Sequence, residues 1–441
     1  MFAASNAIST LCHQVKQAYL GQNAQLYAQL LSIDLNNPTI NSLLSELAQK
    51  TDAQLELNVN DVLEDTSIAL SDAVLGYLKV LKMIHSPDIE QVFETYASYY
   101  SALIPVFSSA DTYYQVPLIK NLSSSLVQLA FQVDRIGLRG KARKANTAAR
   151  LLSKVFNIML ADRSPIETSK RQGIFHITNL AFKVYFKLNS IRMCQTFINN
   201  IRSGEIDLSL YPISQQVTYK YYIGRYALYH GRLKQAQECL LFAFQKCHPD
   251  QWHNKRMILH YLIPTRIILG YFPKHALLET YNLVNPYLNL IQCLKVGNIQ
   301  GYLDHLEIHF NYFYHHLTYV LLKERGIVLV WRCLIRNMYT QLGSTVPIIH
   351  FDHILAAIQF ATQSDYALED IECMLVSLVS QGYMRGYLQH QKQRIVLSKV
   401  NAFPPISSVR LVVERYNESL IDEHLDQEPH PLPQEIKHIM E

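Results

Sequence analysis

Apolar residues recur every three or four positions along most of the chain, and the pattern is clearest between Val217 and Cys247. There Tyr222, Tyr226 and Tyr229 share one helical face, and Ala236, Leu240, Ala243 and Phe244 share another, so the segment predicts two amphipathic helices joined at Gly231. Gly224, Ala227 and Gly231 leave room for close helix approach, and Leu240 and Phe244 supply the bulk to fill it. One such hairpin, of tetratricopeptide type, cannot bury its own apolar face, so it calls for stacked neighbours on both sides.

The same periodicity predicts a helix pair over residues 1–34, a break at Asn36, Asn37 and Pro38, and helices over 61–85 and 88–109 divided at Ser86 and Pro87. Further helices are expected from about Leu118, over 145–162, 170–188 and 190–202, then at 275–283, 286–296, 299–316 and 319–342. After Pro347 the texture changes. A helix over 350–363 and another over 368–380, with Glu369 and Asp370 in its first turn, lead to Gly382. Tyr383–Gln389 and Arg394–Ser398 then read as two strands joined by a polar turn at residues 390–393. Helix, helix, strand, wing and strand make a winged helix. The fold class is mainly α: a helical-repeat solenoid followed by a C-terminal winged helix. Four regions are expected: irregular repeats over 1–120, the solenoid over 121–343, the winged helix over 344–405, and an acidic, disordered tail over 406–441.

Composition supports helices, since Gly and Pro number only 15 and 16 in 441 residues. Seven scattered cysteines show no CxxC or CxxH spacing, which signals neither a disulfide framework nor a zinc site. No leader-like N-terminus and no long uncharged apolar window is seen, so a soluble intracellular protein without membrane insertion is expected. The net charge of +4 hides a segregation: 4 basic against 12 acidic residues over 1–119, 24 against 7 over 120–275, and 2 against 8 over 414–441. The middle of the chain is a candidate surface for a polyanion. Within it, five cations fall between Arg135 and Lys144 around two glycines, which reads as a mobile charged loop or as a nucleic-acid or nuclear-localisation patch.

A solenoid running into a winged helix resembles the PCI domain of proteasome-lid, signalosome and initiation-factor subunits. The stretches QVTYKYYIGRYALYHGRLKQAQECLLFAFQKC, NKRMILHYLIP and MRGYLQHQKQRIVLSKVNAFPP resemble more closely the PCI-domain subunit of the TREX-2 transcription-and-export complex, a group also described as signalosome-subunit-twelve-like. The likeness covers roughly residues 165–405. It implies a non-enzymatic subunit, in the nucleus at the nuclear pore with some cytoplasmic presence, acting in messenger-RNA export. The implied partners are a large helical PCI-type scaffold, a small acidic disordered subunit shared with the proteasome lid, and RNA or double-stranded DNA held across paired winged helices. A signalosome-associated subunit of the same fold is the competing reading.

The residues offer two candidate sites. Arg385, His390, Gln391, Lys392, Arg394 and Lys399 lie on or beside the wing, where a projecting basic ribbon contacts phosphates without reading sequence. Lys220, Arg225, Arg232, Lys234, Lys246, Lys255 and Arg256 form a second set for an acidic partner, with Tyr219 and Tyr221 as candidate aromatic anchors. The ordinary alternatives are solvated cations and core tyrosines. His309, His315 and His316 cluster near Asp304 and Glu307, but without HExxH or CxxC no metal is expected, and no cofactor or nucleophile motif is present.

Overall fold

A computed structural model describes residues 7–33, 38–343, 347–362 and 364–409. The chain is mainly helical and divides into two compact units, with the division between Tyr222 and Ile223. The first unit holds α1 (Ala7–Leu20), α2 (Ala24–Leu31), α3 (Pro38–Leu47), α4 (Asp52–Leu63) and α5 (Ile68–Met83). It continues with α6 (Ile89–Ser108), α7 (Val116–Asp134), α8 (Lys144–Ala161), α9 (Ile174–Lys187) and α10 (Cys194–Ser203). The division itself falls inside α11 (Ile213–Tyr229).

The expected single helix over 61–85 is two helices. The Thr51 hydroxyl accepts from the Gln54 amide while the Gln54 side chain accepts from the Thr51 amide, which starts α4 at Asp52; Ser67 caps α5 the same way, accepting from Leu70. Two buried tyrosines satisfy their hydroxyls on the backbone and on serine: Tyr99 donates to the Leu31 carbonyl at 2.8 Å, and Tyr100 pairs with Ser123 at 2.6 Å. The basic loop ends in ion pairs. Asp134 accepts from Arg143 Nε and from the Lys144 amide, and the Lys144 ammonium meets Glu90 and Glu94, so two of the five cations are tied down while Arg135, Arg139 and Lys141 stay exposed.

The second unit continues with α12 (Leu233–Lys246), α13 (Trp252–Ile268), α14 (His275–Thr280), α15 (Val284–Val296) and α16 (Ile299–Ile308). Then come α17 (Phe310–His315), α18 (Tyr319–Leu321), a π turn at Leu322–Gly326, and α19 (Ile327–Leu342). The helices expected over 299–316 and 319–342 are each interrupted. The Tyr302 hydroxyl donates to the Leu322 carbonyl and lies directly against Gly326, which leaves no room for a side chain there and places the extra residue of the π turn over a buried tyrosine.

The winged helix follows as β1 (Ile348–His350), α20 (Phe351–Thr362), α21 (Leu368–Ser380), β2 (Gly386–Gln389) and β3 (Arg394–Leu397). The three strands form an antiparallel sheet in the order β1, β3, β2, with Ile349 opposite Ile395 and Tyr387 opposite Val396. β1 was not expected from the sequence. Ile349, Ile395 and Leu397 of the sheet and Phe351, Ile354, Ile371 and Leu375 of the two helices are all nearly fully buried and make the core of this domain. Arg332 of α19 ties this domain down: its guanidinium is buried and donates to the carbonyls of Tyr383, Phe403 and Pro404 at 3.2, 3.3 and 2.6 Å. Of the expected tail, Ile406–Ser408 form a 3-10 turn and Val409 is buried; residues 410–441 lie outside the described residues.

Candidate nucleic-acid interface

The wing is built by alternation. Along β3 the buried Ile395 and Leu397 alternate with Arg394 and Val396, which places every second side chain outward. At the tip, His390–Lys392 form one 3-10 turn and Gln393 takes a left-handed conformation at φ 44°, closed by its amide donating to the His390 carbonyl at 2.9 Å. A hydrogen bond from the Phe351 amide to the Gln393 carbonyl anchors this turn on α20. At the other end, the Arg385 amide donates to Ala402 and the Ser398 amide donates to Arg385, so Arg385 and Lys399 flank the open end of the ribbon.

The six expected residues therefore fall into two groups, separated by strands of four residues, or about 13 Å. Arg385, Gln391, Lys392 and Lys399 are exposed. Arg394 is half-buried, and its Nε donates to the Gln389 side chain at 2.7 Å, which fixes the guanidinium across the ribbon. His390 is engaged differently from the rest: its Nδ1 lies 2.8 Å from Glu372 of α21, a carboxylate that offsets positive charge at the tip. Tyr387, 58% exposed on the outer face of β2, was missed; its alternation with Leu388 in the predicted strand was the signal. No acidic residue occurs from Gln381 to Val409.

The second set is arranged otherwise. Lys220 belongs to the first unit and the other six cations to the second. Arg225, Lys255 and Arg256 lie over aromatic rings, at 4.6 Å from the Tyr261 centroid, 4.9 Å from Phe244 and 5.6 Å from Trp252. Lys234 and Lys246 are exposed and Arg232 is half-buried. Tyr219 and Tyr221 are not partner anchors. Both are buried, with the Tyr219 ring packed 4.9 Å from Phe175 and stacked at 5.9 Å on Phe182, and the Tyr221 ring 5.1 Å from Tyr222. The period that put them on α11 also turns them into the core. The close approach expected in the hairpin is present, because a Cβ on Gly224 would lie 2.6 Å from Leu240 Cγ.

The histidines do not converge on a metal. The His316 ring lies 4.0 Å from that of His260, tilted by 30°, and the Tyr312 hydroxyl meets His260 Nδ1 at 2.6 Å. Burial, followed by the neighbouring His316 and Arg256, pulls His260 down to about 3. Glu307 is engaged by Tyr319 and Lys323. Among the described residues no group of three or more His, Cys, Asp or Glu is placed to hold a metal ion, and no helix is long and apolar enough to cross a membrane.

The PCI domain model matches residues 319–399, the stretch from α18 through the wing. A PCI domain-containing protein of Schizosaccharomyces pombe is 30% identical over 400 residues, covering 87% of this chain and 90% of that protein. PCI domain-containing protein 2 of Danio rerio is 34% identical over 264 residues, 59% of this chain and 65% of its own length. A protein of Neurospora crassa named CSN12 homolog is 33% identical over 281 residues, 59% of this chain and 61% of its own. With helical repeats leading into a winged helix, and a relative matched over nearly its whole length, this chain belongs to the family of PCI domain-containing proteins and is a scaffold-type member of it.

Proposed function

We propose that this chain is a non-enzymatic adaptor subunit of a TREX-2-type complex for transcription-coupled nuclear export of messenger RNA. In this reading it works in the nucleus, at the nuclear pore. It pairs with a large PCI-type scaffold subunit, takes up a small acidic subunit on the cations of α11 to α13, and lends its wing to a composite winged-helix platform for RNA or double-stranded DNA. The observation that carries the reading is the acid-free basic ribbon, with Arg385 and Lys399 at one end and Lys392 and Arg394 at the other, Arg394 held there by Gln389.

A protein that neutralises phosphates releases counterions, so the logarithm of its affinity falls with the logarithm of salt by about 0.9 per phosphate on duplex DNA. The test is a salt titration of the reconstituted complex on a duplex and on a single-stranded RNA, with Lys392→Ala and Arg394→Ala combined. The expected result is weaker binding at all sequences and a slope lower by about two. An unchanged slope sinks the role of the wing.

A signalosome-associated role is the second reading, favoured by the Neurospora crassa relative named CSN12 homolog. Affinity purification separates the two, since recovery of signalosome subunits without an export scaffold overturns the first.

A further inference from the structure

After the winged helix the chain turns back on the helical hairpins. Ile406 sits against Gly270 so closely that a Cβ on the glycine would come within 2.7 Å of the Ile406 Cβ. Ile406, Ser407 and Val409 then wall a cleft of about 230 Å³ together with Lys234, Leu241 and Tyr271. Val409 is only 8% exposed, so the chain beyond it starts from the flank of α12, beside Lys234.

That flank suits an acidic, partly apolar occupant for three reasons. α12 begins with neither a side-chain cap nor an acidic residue in its first turn, which leaves its positive end uncapped; its single acid, Glu238, comes one turn later. From Ile223 to His275 eight basic residues stand against two acidic ones, a net of +6. The cleft also has an apolar wall, Leu241, Ile268 and Tyr271, at the point where Val409 ends, with Lys234 and a single acid, Glu238, on its α12 side.

The remaining segment has the matching composition. Residues 410–441 carry eight acidic against three basic side chains, a net of −5, in 32 residues. Its first members after Arg410 are Leu411, Val412 and Val413, and acids then recur every fourth residue at Glu414, Glu418, Asp422 and Asp426. At no more than ~3.6 Å per residue, Glu414 lies within roughly 18 Å of Val409, while α12 is about 21 Å long. Tethering makes the encounter intramolecular, with an effective concentration in the millimolar range.

We infer that the acidic segment 410–426 docks on the N-terminal flank of α12, with residues 411–413 entering the cleft and Glu414 and Glu418 set against Arg232 and Lys234. The tail thereby covers part of the face that the proposed function gives to an acidic subunit and competes for it. That consequence rests on the proposed function; the docking does not.

Zero-length carbodiimide crosslinking of the dilute full-length chain, read by mass spectrometry, tests the docking. The expected products join Lys234 to Glu414 or Glu418 within one isotopically labelled copy. A variant with Glu414→Gln, Glu418→Gln, Asp422→Asn and Asp426→Asn is expected to lose them and to exchange the amides in the first turns of α12 several-fold faster. Crosslinks confined to Lys392 and Lys399, crosslinks formed only between copies, or exchange in α12 indifferent to the tail would each overturn the docking. A polyglutamate peptide is expected to bind the neutralised variant several-fold more tightly than the native chain. Unchanged peptide affinity alongside intact Lys234 crosslinks leaves the docking standing and removes the acidic-partner reading of this face.

Discussion

The hairpin of α11 and α12 and the ribbon of β2 and β3 are both rich in cations, yet the fold uses them in opposite ways. In and beside the hairpin, charge is laid on aromatic surface: Arg225 over Tyr261, Lys255 over Phe244 and Arg256 over Trp252, around a helix crossing so close that Leu240 occupies the space Gly224 leaves. In the ribbon, Ile395 and Leu397 make the anchor and Lys392 stands in solvent. A guanidinium resting on a ring is pre-positioned for a partner of fixed shape. A lysine on a flexible stem suits phosphates whose places vary along a backbone. Changes in the hairpin should therefore register as stability, and changes in the ribbon as binding.

The largest expected effect concerns what holds the ribbon in place. Arg332→Met leaves the carbonyls of Tyr383, Phe403 and Pro404 without their donor; the first and last are buried, and each buried orphan costs about 1 to 3 kcal/mol, so urea denaturation should show a loss of at least ~2 kcal/mol. A loss under about 1 kcal/mol would show that the strands hold themselves. Next comes the hairpin. Gly224→Val drives two methyl groups into Leu240, and overpacking of this kind costs about 1 to 3 kcal/mol, seen as a lower Tm.

Acid comes third. His260 is held neutral by burial and by its cationic and imidazole neighbours, at about 3 against an ordinary value of 6.5. A depressed histidine binds its proton more readily in the unfolded chain, so its stabilisation is complete above pH 6.5 and is lost as pH falls from there toward 3. Between pH 6.5 and 5 this amounts to about 2 kcal/mol. Burial depresses His316 and His305 in the same direction, which steepens the acid limb. His260→Asn should flatten it in a series of melts against pH; an unaltered limb would assign the effect elsewhere.

The smallest stability effect is expected where the binding effect is largest. Lys392→Ala combined with Arg394→Ala should leave the unfolding free energy within about 0.5 kcal/mol of native, while lowering the salt slope of nucleic-acid binding. A large drop in stability would erase the distinction between hairpin and ribbon.

Much of this was legible in the sequence, because helical period and turn chemistry are local. The hairpin at 213–246, the helix starting at Leu368 and the wing turn at His390–Lys392 all follow from neighbours a few residues apart. β1 was not legible: three residues carry no period, and Ile348–His350 become a strand only by pairing with β3 some 45 residues later. α13 was obscured by Pro264, which it contains and buries. The interruptions near His309 and at Leu322–Gly326 depend on where Tyr302 and Phe313 lodge in the core, which is long-range packing. At the candidate site the positions of the cations were readable, but Glu372 beside His390 and the rings beneath Arg225, Lys255 and Arg256 were not, since each partner comes from a different element. The assignment of Tyr219 as an anchor failed because an aromatic at helical spacing serves core and interface equally well in sequence.

The distribution of thiols has a practical chemical consequence. All seven cysteines are outside disulfides; five are buried, Cys333 is partly covered, and Cys373 alone is exposed, on the same helix as Glu372. Burial pushes Cys12 up to about 12 and raises Cys247, Cys293 and Cys333, which keeps them as slow, protonated nucleophiles. A maleimide added to the native chain thus reacts first at the winged helix, giving a site-selective dye position next to the wing without mutagenesis. Uptake of further reagent then reports how often the packed helices open.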